Sequence, residues 1–247
     1  LNFSGGTLET ETAAYDIDGT INWSGGNFDI GSVTPAGITI GTGLFNVTGN
    51  GTLSANSFST SGTVNISGIL NVGNSFLQTA GLTTLTNGTL TATSVLINGG
   101  VLAGTGTLNG NLTNNATIRP GFSPGAVTIN GNFIQGALGT LLMEIAGTGL
   151  SQYDRIVISG SAALDGNFTL IPIASYTSAG GVTYNFITAS GGTTGDFSSF
   201  TSPSGYSYSL AGGVFTITAA PTSIPIDVTV SETLVLTEPT TTVSTET

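Results

Sequence analysis

Apolar residues recur at short, even intervals through the middle of the chain. Phe58, Val64, Leu70, Phe76 and Leu82 stand six apart, and after a step of eight Leu90, Leu96, Leu102 and Leu108 resume the interval. Between them lie TSGTVNISG, LNVGN, LTNGTLTA and LINGG, rich in Thr, Asn and Gly. No stretch holds a 3.6-residue period for three turns, so helices are not expected. Segments of four to seven residues rich in Val, Ile, Thr and Phe, broken at Gly or Asn, read as strands. A strand of three to five residues plus a corner uses about six positions, and three such sides close one coil of about 18–20 residues. Coils of this kind stack by β-sheet hydrogen bonding at about 4.8 Å. A two-sheet sandwich uses the same alternation but does not require a repeated six-residue spacing.

The solenoid reading assigns a place to each residue type. Aliphatic and aromatic side chains point inward, Gly and Asn make the corners, and Thr and Ser suit outward strand positions. Inward Asn or Thr can stack as ladders from coil to coil. Residues 1–50 are less regular, although SGG at 4–6 and again at 24–26 repeats after twenty residues, one coil length. Trp23 and Phe28 read there as packing residues, with an exposed binding role as the alternative.

From about residue 126 the segments lengthen: AVTINGNFIQ, GTLLMEIAG, YDRIVISGSAALDGNFTLIPI, VTYNFITASG and YSYSLAGGVFTITAA. They predict a broader end structure, because the last coil of a stack needs a cover over its open β edge. Residues 221–247, PTSIPIDVTVSETLVLTEPTTTVSTET, read as a linker or stalk, with IDVTV and TLVLT able to add a strand. The expected division is 1–125 for β-helix coils, 126–220 for end coils and a β cap, and 221–247 for the Thr/Pro-rich segment. A chain that opens on Leu1 without a leader and closes on TVSTET is expected to be a processed product or a piece of a longer one.

Composition narrows the function classes. The 247 residues carry 13 acids against 2 bases, with no His and no Cys, for a formal net charge of −11. Disulfides and thiolate catalysis are excluded, as are imidazole bases and ligands. Two arginines cannot neutralise a phosphate backbone, so nucleic acid is not an expected partner. Anionic membrane surfaces are disfavoured, and no run reaches the roughly 18–20 apolar residues of a spanning helix, so direct membrane insertion is not expected.

One of the two arginines sits in ATIRPGFSPGAVTINGNF, residues 116–133, with Pro120-Gly121 and Pro124-Gly125 beside it. Residues 98–133, NGGVLAGTGTLNGNLTNNATIRPGFSPGAVTINGNF, resemble the glycine-punctuated coils and PG-x-SPG stretch of bacterial autotransporter passenger domains and related large surface exoproteins. GTLLMEIAG at 139–147, YDRIVISGSAALDGNFTL at 153–170 and FITASGGTTGDFSSF at 186–200 continue the likeness in order. The resemblance covers about residues 50–200. It implies an all-β, right-handed parallel β-helix (β-solenoid) with a C-terminal capping region, on the outside of a bacterium, acting as scaffold or adhesin. A Thr-rich segment follows where that family has a membrane β-barrel, so a differently anchored or filament-like parent stays open. Under this reading the two Pro-Gly pairs turn an altered coil between the regular stack and its end. Arg119 lies on the surface or pairs with a nearby acid, Glu144 and Arg155 form a candidate cross-strand pair, and Tyr153 packs at the cap.

Catalysis finds little to work with. β-Helix lyases need a strong base and cations for acidic sugars. Hydrolases need two carboxylates about 5–9 Å apart, for which Asp16/Asp18 and Asp154/Asp165 are the candidates. In a strand, Asp16 and Asp18 would face one side about 6.5–7 Å apart. DIDG at 16–19 lacks the further ligands of a calcium loop and reads as a solvated turn. The GxG pieces are corner repeats rather than nucleotide loops. The N-x-[ST] triplets at Asn46, Asn65, Asn111 and Asn167 are expected by chance in such a composition. No catalytic, cofactor-binding or metal-ligating residue is assigned, and no enzyme activity or cofactor is expected. The leading expectation is a structural or adhesive β-solenoid of a large secreted or cell-surface protein, meeting host-cell, bacterial or glycan surfaces. The first alternative is a subunit of an extracellular filament or sheath that self-associates end to end through terminal strands. The second is a polysaccharide-active β-helix enzyme.

Overall fold

The computed structural model describes residues 1–5, 7–10, 15–30 and 37–220; Asp16 is described only in its backbone, and the 221–247 segment lies outside the described residues. Every described strand joins one 26-stranded sheet that winds on itself, and outside the two continuous coils and the C-terminal hairpin the strands pair in parallel with the strand three places further on. Three strands therefore make one coil, and the sheet has three faces. The expected β-solenoid is the fold.

Vertical register sets the coil. On the first face Leu44, Thr63, Leu82 and Val101 stand over one another, a constant step of 19 residues. Asn2 pairs with Asn22, the twenty-residue repeat expected near the start. Later coils lengthen: Thr117 pairs with Thr140, Thr140 with Asn167, and Asn167 with Ser199. Two coils, 82–97 and 101–114, run as continuous strands around all three sides.

Inward positions form columns. Phe45, Val64, Thr83, Leu102, Ile118, Leu141 and Phe168 stack on the first face. Leu70, Leu90, Leu108, Ile129 and Ile158 stack on the second, with Ala189 beyond. Ile38, Phe58, Phe76, Val95, Leu112 and Phe133 stack on the third. All are buried. Trp23 packs against Phe45 at 6.2 Å between ring centroids, Phe45 against Phe58 at 5.4 Å, and Phe58 lies stacked on Phe76 at 5.2 Å. Trp23 is thus a packing residue, buried in the core; the side chain of Phe28 lies outside the described ones.

The six-residue rhythm needs one correction. Leu82 is 37% exposed and Leu96 half-buried, and Thr83, Val95 and Ile97 point inward in their stead. Alternation restarts at each corner, and the three-residue corner 79–81 shifts its phase. The repeat that stacks side chains is the 19-residue coil, of which six is only the average side.

Glycine is obligatory at one corner. Gly43, Gly62, Gly81 and Gly100 stack, and the carbonyls of Gly43, Gly62 and Gly81 accept hydrogen bonds from the amides of Thr63, Leu82 and Val101. Gly81 and Gly100 both have φ of +72°, and a Cβ on Gly81 would sit 1.9 Å from the Gly62 carbonyl oxygen. Outside, Asn22, Asn46 and Asn65 each donate from Nδ2 to the asparagine one coil earlier at 2.7–2.9 Å, starting from Asn2. This asparagine ladder runs on the outward side, because an outward amide can spend one donor and one acceptor vertically and leave the rest to water. Inside, Asn114 donates to Gln135 at 2.8 Å, and Gln78 Nε2 donates to the Gly99 and Val101 carbonyls.

The stack ends as a different structure. The hairpin Tyr206–Ala211 and Val214–Ala219 pairs antiparallel, and its second strand lies antiparallel on Thr183–Ala189. A parallel coil is thereby replaced by a hairpin that occupies the edge of the second face. Phe215 from the hairpin packs on Phe168 at 4.8 Å and Phe197 at 4.9 Å. Tyr153 packs at this end, against Tyr184 and Phe186. Burial raises the Tyr184 hydroxyl to about 12, against the lowering effect of its hydrogen bond with Ser178.

Two substitutions should separate packing from corner geometry. Phe58→Ala is expected to cost about 3–5 kcal/mol through its cavity. Gly81→Ala is expected to cost about 1–3 kcal/mol from backbone strain alone, although it removes no buried side chain. Urea unfolding with tryptophan fluorescence measures both.

Candidate functional site

The corner between the first and second faces changes along the stack. It is two residues, 67–68, in the coil that begins at Thr63, and vanishes in the continuous strand Val101–Asn114. It then grows to 121–125, 146–154 and 173–182 in successive coils. Loops of that size cannot lie in the wall of the solenoid, so they stack on its outside and bury polar groups between them.

The first of these loops is the ATIRPGFSPG stretch. Gly121 and Ser123 both have φ of +84°, and the Ser123–Pro124 peptide bond is cis. The two Pro-Gly pairs therefore make a tight corner, as the sequence reading expected. The chain re-enters the sheet at Ala126. Phe122 is left at the apex, 59% exposed.

Behind this loop lies a cluster of three charged side chains. Arg119 Nη2 donates to Glu144 Oε1 at 2.7 Å, the one ion pair among the described residues. The Asp154 carboxyl is fully buried and accepts the amide of Gly125 on Oδ1 and that of Glu144 on Oδ2, both at 2.7 Å. The Asp154 amide donates to the Glu144 carbonyl, and the Arg155 amide to that of Gly125. The SPG, MEI and YDRI landmarks, spread over residues 123–156, thus meet in one hydrogen-bonded knot. The candidate Glu144–Arg155 pair does not form. Glu144 takes Arg119, and Arg155 Nε instead donates to the Leu150 carbonyl and closes the 146–154 loop. Arg119 is one coil below Glu144, whereas Arg155 is already committed to its own loop.

Burial, above all, pushes the Asp154 carboxyl up to about 7; the Glu144 charge adds to it, and the two amides and Arg119 act in the opposite sense. Glu144 Oε2 is buried with no hydrogen-bond partner.

Alongside the knot runs a groove of about 460 Å³ on the outside of the first face. The sheet supplies Leu82, Thr84, Val101, Ala103 and Arg119; Gly121, Phe122 and Ser123 of the corner loop complete the lining. The groove continues the asparagine ladder. Below Asn65 the same outward column carries Thr84, then Ala103, then Arg119. Two small side chains between an asparagine and an arginine leave a trough, and the corner loop walls it. The leucine that fell out of phase, Leu82, lines it.

Of the acids considered for hydrolysis, the side chains of Asp18, Asp154 and Asp165 are described, and their surroundings differ. Asp18 is exposed and accepts the Thr42 amide at 3.3 Å, a turn contact. The Asp16 side chain lies outside the described ones. Asp165 is half-buried and held below the usual carboxylate range by Ser198 and the Gly166 amide, whereas Asp154 is sealed inside the corner. No group of three or more potential metal ligands occurs among the described residues, and no described helix is long and apolar enough to cross a membrane. Of the N-x-[ST] asparagines, Asn46 and Asn65 have their side-chain amides engaged in the ladder.

Phe122 and the groove escaped the sequence reading, which allowed Arg119 a nearby acid as partner without naming Glu144. The fixed order of the three landmarks was the available signal, since segments kept in order in a repetitive chain are candidates for mutual contact. No protein-family model matches the chain, and no curated protein matches it.

Removing Arg119 leaves a buried carboxylate without its cation. Arg119→Met is expected to destabilise by about 1–3 kcal/mol, below the range for fully buried pairs because the arginine is half exposed. Adding Glu144→Gln to it should recover part of the loss. A double-mutant cycle by urea unfolding reads the coupling.

Proposed function

We propose that this chain is a structural or adhesive β-solenoid segment of a large bacterial protein, secreted or held at the cell surface, and that it performs no catalysis. The observation that carries this reading is the outer surface: stacked coils presenting Thr, Ser and Asn, bound to one another by an asparagine ladder, with few charges. Such a wall is built by repetition, each coil bonded to the next. The resemblance of about residues 50–200 to autotransporter passenger coils points the same way, and the hairpin cap suits a stack that stops at a defined length.

In the adhesive form of this reading, contact is spread over a long face, where many weak interactions add up. The groove beside Phe122 is then the natural point of grip on a cell or glycan surface. In the structural form, the stack holds other parts of a larger protein away from the cell.

Electron microscopy of the purified chain over a concentration series, with light scattering, is expected to show short rods of constant length. Rods that lengthen into fibres, and stop doing so when residues 222–247 are deleted, would replace this reading with a filament subunit. Turnover of any member of a broad polysaccharide panel would overturn the non-catalytic part.

A further inference from the structure

The corner loop that walls the groove is fastened from inside by one carboxyl. Gly125 gives its amide to Asp154 and its carbonyl to the Arg155 amide, so one residue of the loop is gripped on both sides by consecutive residues of the next coil. The other oxygen of Asp154 holds the Glu144 amide. Freeing the loop at Gly125 therefore strips one of its two amide donors from a carboxyl that is buried while the loop is fastened.

We propose that Asp154 is a proton-operated latch on the 121–125 loop: the loop stays fastened while the carboxyl holds a proton and is released more readily once it has lost it.

Burial of the carboxyl, above all, sets the sign; the Glu144 charge adds to it, while the amides of Glu144 and Gly125 and the Arg119 guanidinium act against it. Glu144, on the strand Thr140–Ile145, is a second buried acid and repels an ionised Asp154; its Oε2 has no partner to absorb that charge. Arg119, on the strand Thr117–Pro120, is the cation facing the pair, and it is spent on Glu144 Oε1. Arg155, next along the chain, directs its guanidinium to the Leu150 carbonyl. Tyr153, on the other side, packs edge-on against Tyr184 and tilted against Phe186. The strand Ala126–Asn130 carries no titratable residue. With Asp154 protonated, one cation faces one anion. With it ionised, one cation faces two.

Folded and fastened, the carboxyl titrates near 7; exposed, it returns to its ordinary value of 3.8. The fastened state thus binds the proton more tightly, and raising the pH between those values favours release. Below the window both states are protonated and above it both are ionised, so the effect levels off at each end. The wall that would move carries Gly121, Phe122 and Ser123, so the groove would widen or lose its aromatic apex as pH rises. The latch depends on the corner's geometry and stands whether or not the chain binds a surface.

The test is amide hydrogen exchange on the full chain from pH 4 to 8, expressed as protection factors so that the intrinsic pH dependence of exchange drops out. Protection at the Gly125 and Glu144 amides is expected to fall with pH by up to about tenfold per unit within the window. The amides of Val64 and Ile66, several coils away, should not change. Asp154→Asn should give a flat profile. Glu144→Gln, which keeps the latch and removes its repelling neighbour, should move the fall to lower pH, and decides the matter if Asp154→Asn fails to fold. A wild-type profile that does not change with pH, or an equal fall at Val64 and Ile66, would overturn the latch. So would a Glu144→Gln profile identical to the wild type.

Discussion

Everything in this molecule depends on parallel hydrogen bonding between a strand and the strand one coil later. A parallel ladder must keep residues in step over its whole length. A coil of 19 residues returns each position to its own column, so like stacks on like: glycine over glycine at the corner, asparagine over asparagine outside, phenylalanine over phenylalanine within. Each contact is ordinary, and its strength lies in repetition. The glycine column shows how strict the arrangement is, since the carbonyl that bonds to the next coil occupies the place where a Cβ would be.

Such a stack has a problem at its end, because a parallel ladder leaves a row of unpaired donors and acceptors. Here the chain lengthens its coils, enriches them in aromatic residues and then reverses direction. The antiparallel hairpin presents a partner to Thr183–Ala189 and drives Phe215 into a ring cluster with Phe168 and Phe197. Longer coils need longer corners, and longer corners bury backbone amides outside the regular ladder. Asp154 takes up one of those amides, that of Gly125, together with the Glu144 amide near the end of its strand. The charged knot is thus a structural consequence of ending the stack, and the groove beside it is a by-product of the same change in corner length. If the chain grips a surface, it does so where the regular solenoid gives way to its cap.

Much of the fold was legible in the sequence because a solenoid is locally encoded. Strand length, corner residues and apolar recurrence all lie within a window of about twenty residues, and a contact between coils is only one such window away. The β-solenoid with its C-terminal cap, the turns at Pro120-Gly121 and Pro124-Gly125, Trp23 in the core and Tyr153 at the end could be read this way. Leu82 and Leu96 could not, because alternation restarts at each corner and corner length is settled by how one coil sits on another.

The sequence alone determined that the chain would wind rather than fold into helices, where its corners lie, and which chemistries its missing His, Cys and Lys exclude. Only the tertiary structure decided that Arg119 faces Glu144 rather than leaving it to Arg155, that Asp154 is sealed away from water, and that Phe122 stands free over a groove. These are contacts between loops of unequal length in adjacent coils. No period in the sequence carries such a contact, because loops outside the ladder are placed by what they pack against.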